Sequence, residues 1–197
     1  MKLYCLGDSL TFGYGVSGPQ RWIRLAAQSS GWQLVNLGVP GDTTGGMLAR
    51  LQTQLLPQLA QQRGAHVMLM GGCNDIFYSG SDVTARANLG AMLHQLLTAG
   101  ACPMVGGPIP LCIGRANGDW AEVVDFPAAA GLIRDYRSWC RAYCRAFRIP
   151  FVDFYDDFLL SDGSADPALY LADGLHPAPE GHRRMAQRVS EHLKGWE

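Results

Sequence analysis

The sequence is short of charge. Sixteen Lys and Arg against seventeen Asp and Glu leave a formal net charge of −1, and charged residues make up 17% of the chain, against about 25% in typical domains. With no basic excess to neutralise phosphates, a nucleic-acid backbone or an acidic membrane surface is excluded as the main partner. Long hydrophobic runs are missing too. No stretch approaches the ~18 apolar residues that span a bilayer, so no stable membrane anchor is expected. The opening Met1-Lys2-Leu3-Tyr4-Cys5-Leu6-Gly7-Asp8 reaches an acid early, whereas a secretory leader needs an apolar region of roughly 7–15 residues. A cytoplasmic location is the expectation. The six cysteines form no CxxC pair and fit that compartment as reduced thiols. Cys140 and Cys144 stand one helical turn apart; that spacing admits a metal, but small apolar residues on a helix is the plainer reading.

What is present is apolar and punctuated. Hydrophobic residues are 48% of the 197, which excludes disorder, and this length buries roughly 70% of the unfolded surface in one domain. Residues 1–197 are therefore read as a single domain. The 24 glycines and 11 prolines are scattered as turns. Short apolar runs at Leu3–Leu6, Gln33–Val39, Ala65–Gly71, Cys102–Ile109 and Pro150–Phe154 read as buried strands. Helical patterns separate them. Trp22, Leu25, Ala26 and Ser29 share one helical face. Met47, Leu48, Leu51, Leu55 and Leu59 share another, with Thr43 or Thr44 as N-cap and Pro57 expected to kink or split the helix. Helices are also predicted over Thr84–Ala99 and Pro127–Phe147. A last one starts at Pro177 or Pro179 and buries Met185, Val189, Leu193 and Trp196. Strands alternating with helices predict a doubly wound α/β domain with a parallel sheet. The two long connections, Pro110–Phe126 and Phe154–Leu175, are where substrate choice is expected to lie.

Ligands in such sheets bind beyond the carboxyl ends of the strands, and the polar residues fall there. Strand 1 leads into Asp8-Ser9, strand 2 into Gly41-Asp42-Thr43, strand 3 into Gly72-Cys73-Asn74-Asp75, and strand 5, after its long loop, into Asp173-Gly174-Leu175-His176. Together these are the ingredients of acyl transfer. A serine hydroxyl needs a base to become a nucleophile. An imidazole suits that role near neutral pH, and a carboxylate fixes its tautomer. Asp173 and His176 are three apart, within reach of each other in one turn. The N–H groups of Ser9 and Gly41 and the Asn74 amide are candidate donors to a tetrahedral oxyanion. No step needs a metal or an organic cofactor.

The same residues carry a family resemblance. Gly7-Asp8-Ser9-Leu10 is similar to the GDSL signature, and four ordered blocks resemble those of the SGNH hydrolases. These are Gly-Asp-Ser-Leu at Ser9, Asn-x-Gly-x-x-Gly-Asp-Thr from Asn36 to Thr43, Gly-x-Asn-Asp from Gly72 to Asp75, and Asp-x-x-His from Asp173 to His176. The resemblance covers nearly the whole chain. It implies a flavodoxin-like three-layer α/β/α fold with a five-stranded parallel sheet of order 2-1-3-4-5. It implies a serine esterase acting on small carboxylic esters or thioesters of modest acyl chain length without a metal. Ser9 would be the nucleophile, Asp173 and His176 would complete a triad, and Ser9, Gly41 and Asn74 would form the oxyanion hole. The small members acting as thioesterases, lysophospholipases and arylesterases are the nearest in pattern.

Plainer roles stand beside these. Ser9 and Asn74 could be helix caps, and Asp173 an exposed turn acid. Asp8, Asp42 and Asp75 are expected to order their loops through backbone N–H groups. His66, His94, His182 and His192 read as solvated or packed, with His182 the one rival base. Ile109, Leu111, Ile113 and Trp120 could line an acyl pocket or simply pack a loop. Two other functions remain open: a carbohydrate O-acetyl esterase of the same fold, and a non-catalytic flavodoxin-like module binding FMN or a phosphate.

Overall fold

In the computed structural model, residues 1–115 and 122–195 are described. Each short apolar run becomes a strand: β1 Lys2–Gly7, β2 Gln33–Gly38, β3 His66–Met70, β4 Cys102–Gly106 and β5 Phe151–Val152. All neighbouring pairs are parallel, in the order β2-β1-β3-β4-β5. Alternation along the strands makes two cores. Tyr4, Leu6, Val67, Leu69 and Val105 face one way, and Leu3, Cys5, Met68, Met70 and Met104 the other. A sheet covered on both faces reads as a continuous apolar run, which is why the sequence pattern lacked a clean period of two.

The helices divide between the faces. On one face lie α2 (Trp22–Ser30) and α8 (Pro179–Lys194), which bury Trp22, Ile23, Ala26, Met185, Val189 and Leu193. On the other lie α3 (Thr44–Arg50), α4 (Leu56–Leu59), α5 (Cys73–Ser79), α6 (Val83–Thr98) and α7 (Phe126–Phe147). Cys140 and Cys144 belong to the buried stripe of α7. The expected break at Pro57 takes a milder form. A π-turn over Leu51–Leu55 joins α3 to α4, and its closing bond runs from Leu56 N–H to the Leu51 carbonyl. Proline removes the donor that would have bonded Thr53, and the wider turn absorbs the loss.

Four strands are shorter than their apolar runs, β4 and β5 by three residues each. Pro108 and Pro110 lack the N–H a ladder needs, so β4 stops at Gly106 although the chain stays buried through Cys112. That loop is pinned instead by Tyr170 Oη–H donating to the Pro110 carbonyl at 2.6 Å and by Cys112 N–H donating to the Gly174 carbonyl at 2.9 Å. Trp196 lies outside the described residues. Among the described residues, no helix is long and apolar enough to cross a membrane.

Candidate active site

The end of β1 is built for close approach. A Cβ on Gly7 would lie 2.3 Å from the Met70 carbonyl oxygen, and one on Gly38 would lie 2.2 Å from the backbone nitrogen of Phe12. Without side chains at these positions, the one-turn helix α1 (Ser9–Phe12) sits directly on the strand ends. Asp8 caps it, its Oδ1 accepting from Leu10 N–H at 2.9 Å. Asp8 is 1% exposed. Burial pushes its carboxyl up to about 7, against the opposing pull of the Leu10 N–H and of His176; Asp42 and Asp75 add to the rise. Ser9 follows, buried, with its Oγ 2.9 Å from His176 Nε2.

The turn Asp173–His176 carries the ring. Asp173 Oδ1 accepts from the backbone N–H groups of Leu175 and His176, each at 2.9 Å, and its Oδ2 lies 2.7 Å from His176 Nδ1. Burial alone would raise the Asp173 carboxyl; the His176 ring and the two backbone donors outweigh it and hold the group below its usual range. An ionised carboxylate only accepts, so Nδ1 carries the proton and Nε2 presents its lone pair to Ser9. Tyr14 packs against this ring, with centroids 4.6 Å apart.

Opposite lies the loop after β2. Gly41 takes φ +78°, a left-handed conformation open to glycine. Among the described residues its N–H has no partner, and neither has that of Ser9, the first residue of α1. Asn74, buried on α5, donates one amide proton to the Asp42 carbonyl at 2.8 Å. Asp42 is held by Arg50 at 2.6 Å, and the same guanidinium bonds the carbonyls of Leu37 and Gly7 at 2.7 and 2.9 Å. One cation thereby ties the ends of β1 and β2 to the loop. Asp75 accepts from Thr44 N–H at 2.8 Å and from its hydroxyl at 2.6 Å. Asp8 and Asp75 are occupied in ordering backbone, as expected, whereas the Asp42 carboxylate is taken by the Arg50 side chain and not by a backbone N–H.

The structure thus gathers Ser9, Asp173 and His176 in one chain of contacts, with the Gly41 loop bonded to Asn74. The other expected positions fall elsewhere. Ile109 is 1% exposed and packed in the core with Met104 and Phe154, because the buried Pro-rich loop turns it inward. Leu111 and Ile113 border a cavity of about 490 Å³ whose walls do not include Ser9 or His176. Trp120 lies outside the described residues. His182 is fully buried and accepts from Trp22 N–H at 3.3 Å, so it is packed and not the ring beside Ser9. His66 packs edge-on against Trp32, and His94 against Phe147. Sequence reasoning missed Tyr14 and Arg50 and took Thr44 only as a possible N-cap, a place that Thr43 fills. Arg50 left a trace as a lone cation eight residues after Asp42.

Comparison with known proteins gives consistent results. Residues 5–184 match the GDSL-like Lipase/Acylhydrolase family. Esterase TesA of Pseudomonas aeruginosa is 27% identical over 98% of this chain and 87% of its own. An arylesterase of Vibrio mimicus is 26% identical over 98% of this chain and 88% of its own. The crystal structure of a lipolytic G-D-S-L family member from Veillonella parvula superposes with a TM-score of 0.79 at 22% identity, covering 97% of each chain.

Proposed function

Since the chain belongs to the GDSL-like lipase/acylhydrolase family, whose members are serine esterases of the SGNH type, we propose that it hydrolyses small carboxylic esters and thioesters of modest acyl chain length through Ser9, His176 and Asp173, as one domain over residues 1–197. Ser9 Oγ attacks the acyl carbon while His176 Nε2 takes the hydroxyl proton. Asp173 holds the other ring proton on Nδ1, which leaves Nε2 free to accept, and stabilises the imidazolium that forms. His176 then returns the proton to the departing alcohol or thiol. Water enters by the same base, and the acyl group leaves as a carboxylic acid. Each proton has a place on these residues or on water, so the scheme calls for no metal or organic cofactor.

The tetrahedral oxyanion is assigned to the N–H groups of Ser9 and Gly41 and to the second amide proton of Asn74. The first proton is committed to Asp42, which fixes the amide's orientation. Such fixed donors cost no reorganisation as charge develops. The observation that carries the proposal is the continuous contact Ser9–His176–Asp173, at 2.9 and 2.7 Å.

The test is a chain-length series of p-nitrophenyl esters and acyl-CoAs, run beside acetylated xylan, with Ser9→Ala as control. Hydrolysis should peak at short or medium chains, and a fluorophosphonate should label Ser9 once. Full activity in Ser9→Ala would sink the assignment; activity confined to the acetylated polysaccharide would move it to the O-acetyl esterase reading.

A further inference from the structure

The helix that carries Ser9 is one turn long. Such a helix has little stability of its own, because nucleation is unfavourable. It must be held from outside, and Leu10 is where it is held. Its N–H is taken by Asp8, and its carbonyl accepts from Trp22 Nε1–H at 2.8 Å. Trp22 is fully buried and opens α2. Its own backbone N–H is one of the unpaired donors at a helix start. The N-cap residue, Arg21, offers no side-chain acceptor. The acceptor comes instead from α8: His182 Nδ1, at 3.3 Å.

This leaves His182 in a costly state. A backbone N–H only donates, so Nδ1 is the unprotonated nitrogen and the neutral ring carries its hydrogen on Nε2. That Nε2 is buried and makes no hydrogen bond among the described residues. An aliphatic residue would fill the position without burying an unpaired donor. Burial, aided by Arg21 and His176, pulls the His182 ring down to about 4, so it remains a neutral acceptor near neutral pH. α8 begins at Pro179, three residues beyond His176. The element that presents the ring nitrogen to Ser9 from one side therefore also grips the serine's helix, through Trp22, from the other.

Building on the assignment of Ser9 and His176, we infer that His182 is a positioning residue. It accepts the Trp22 backbone N–H and so aims the Trp22 indole at the Leu10 carbonyl, which holds Ser9 Oγ in line with His176. A displacement of about 1 Å in such a site costs on the order of 10²-fold in rate. The loss should fall on kcat, because substrate contacts are left in place.

The experiment compares steady-state hydrolysis of p-nitrophenyl butyrate by wild type, His182→Leu, His182→Gln, Trp22→Phe and Ser9→Ala, with thermal melts to confirm folding. His182→Leu should lower kcat about 10- to 100-fold with KM within about twofold. His182→Gln, whose amide oxygen accepts an N–H, should recover most of the loss. Trp22→Phe keeps a ring but loses the indole donor, and should fall like His182→Leu. Wild-type kcat in folded His182→Leu overturns the proposal, as does an equal fall in Leu and Gln variants of the same stability. If His182→Leu does not fold, Trp22→Phe decides: folded and fully active, it overturns the proposal. Activity surviving in Ser9→Ala would overturn the underlying assignment, and this inference with it. Loss in Ser9→Ala without loss in His182→Leu would overturn this inference alone.

Discussion

Replacing Asn74 by alanine separates two jobs, one observed and one proposed, of the same amide. The first is structural. Asn74 Nδ2 donates to the Asp42 carbonyl at 2.8 Å from a buried position. A hydrogen bond of this kind contributes about 0.5–1.5 kcal/mol net. For a chain of this length, about 1 kcal/mol shifts Tm by roughly 2–4 °C. The second job is assigned to the other amide proton, as a donor to the oxyanion. Removing one such donor costs about 10²- to 10³-fold in kcat, which is about 2.7–4 kcal/mol of transition-state stabilisation. The ground-state carbonyl needs that donor much less than the oxyanion does, so KM should change little. The assay is steady-state hydrolysis of a p-nitrophenyl ester beside a calorimetric melt. The expected result is a small drop in Tm with a kcat loss of two to three decades. A kcat loss below about fivefold in a folded variant would refute the oxyanion role. A rise in KM that accounts for the whole deficit would refute it equally, since the amide would then be binding substrate and transition state alike.

Two further predictions concern stability. The Asp8 carboxyl is raised by burial to about 7 in the folded protein, from an ordinary value of 3.8. Stability linked to its protonated form is full below pH 3.8, declines as pH rises and is lost through about pH 7. Asp8→Asn keeps an acceptor for Leu10 N–H without the buried charge. Its Tm relative to wild type should therefore climb between pH 4 and pH 7 and level off above; a pH-independent difference would show that Asp8 is not the titrating group. Gly38→Ala places a Cβ 2.2 Å from the Phe12 backbone nitrogen. It should cost about 1–3 kcal/mol in urea unfolding and depress kcat; wild-type stability would mean that α1 does not rest on the β2 end as described.

How far the sequence carried depends on the range of the interactions. The strands were legible because a sheet buried on both faces writes itself as local apolar runs. The turn Asp173–His176 was legible because its bonds span three residues, and the Asx pattern of Asp173 is encoded in that spacing. Order 2-1-3-4-5 came from the resemblance, and the observed strand pairing bears it out. Other features depend on docking across the molecule. The indole of Trp22 reaches Leu10, twelve residues back, and His182 reaches Trp22 across 160; helical periodicity could assign both only to an interior. Thr44 meets Asp75 across 31 positions. Ile109 looked like a loop residue available to substrate, but backbone lacking ladder donors can still be buried. Its side chain followed the core, and the ladder ended three residues earlier.

The π-turn between α3 and α4 bears on how the site is kept in phase with the core. Met47, Leu51, Leu55 and Leu59 recur every fourth residue and are all buried. In an uninterrupted α-helix of 3.6 residues per turn, each such step overshoots by about 40°. Three steps would carry Leu59 about 120° away from the face that Met47 occupies. The wider turn over Leu51–Leu55 takes back part of that rotation. Deleting a single exposed residue there, Gln52 or Gln54, would tighten the turn to ordinary pitch. With the buried C-terminal half anchored, the helix start would rotate, carrying Thr44 away from Asp75 and Thr43 away from the loop that holds Gly41. The phase of this helix is thereby coupled, through the Thr43 cap and the Thr44–Asp75 bonds, to the loop that carries Gly41.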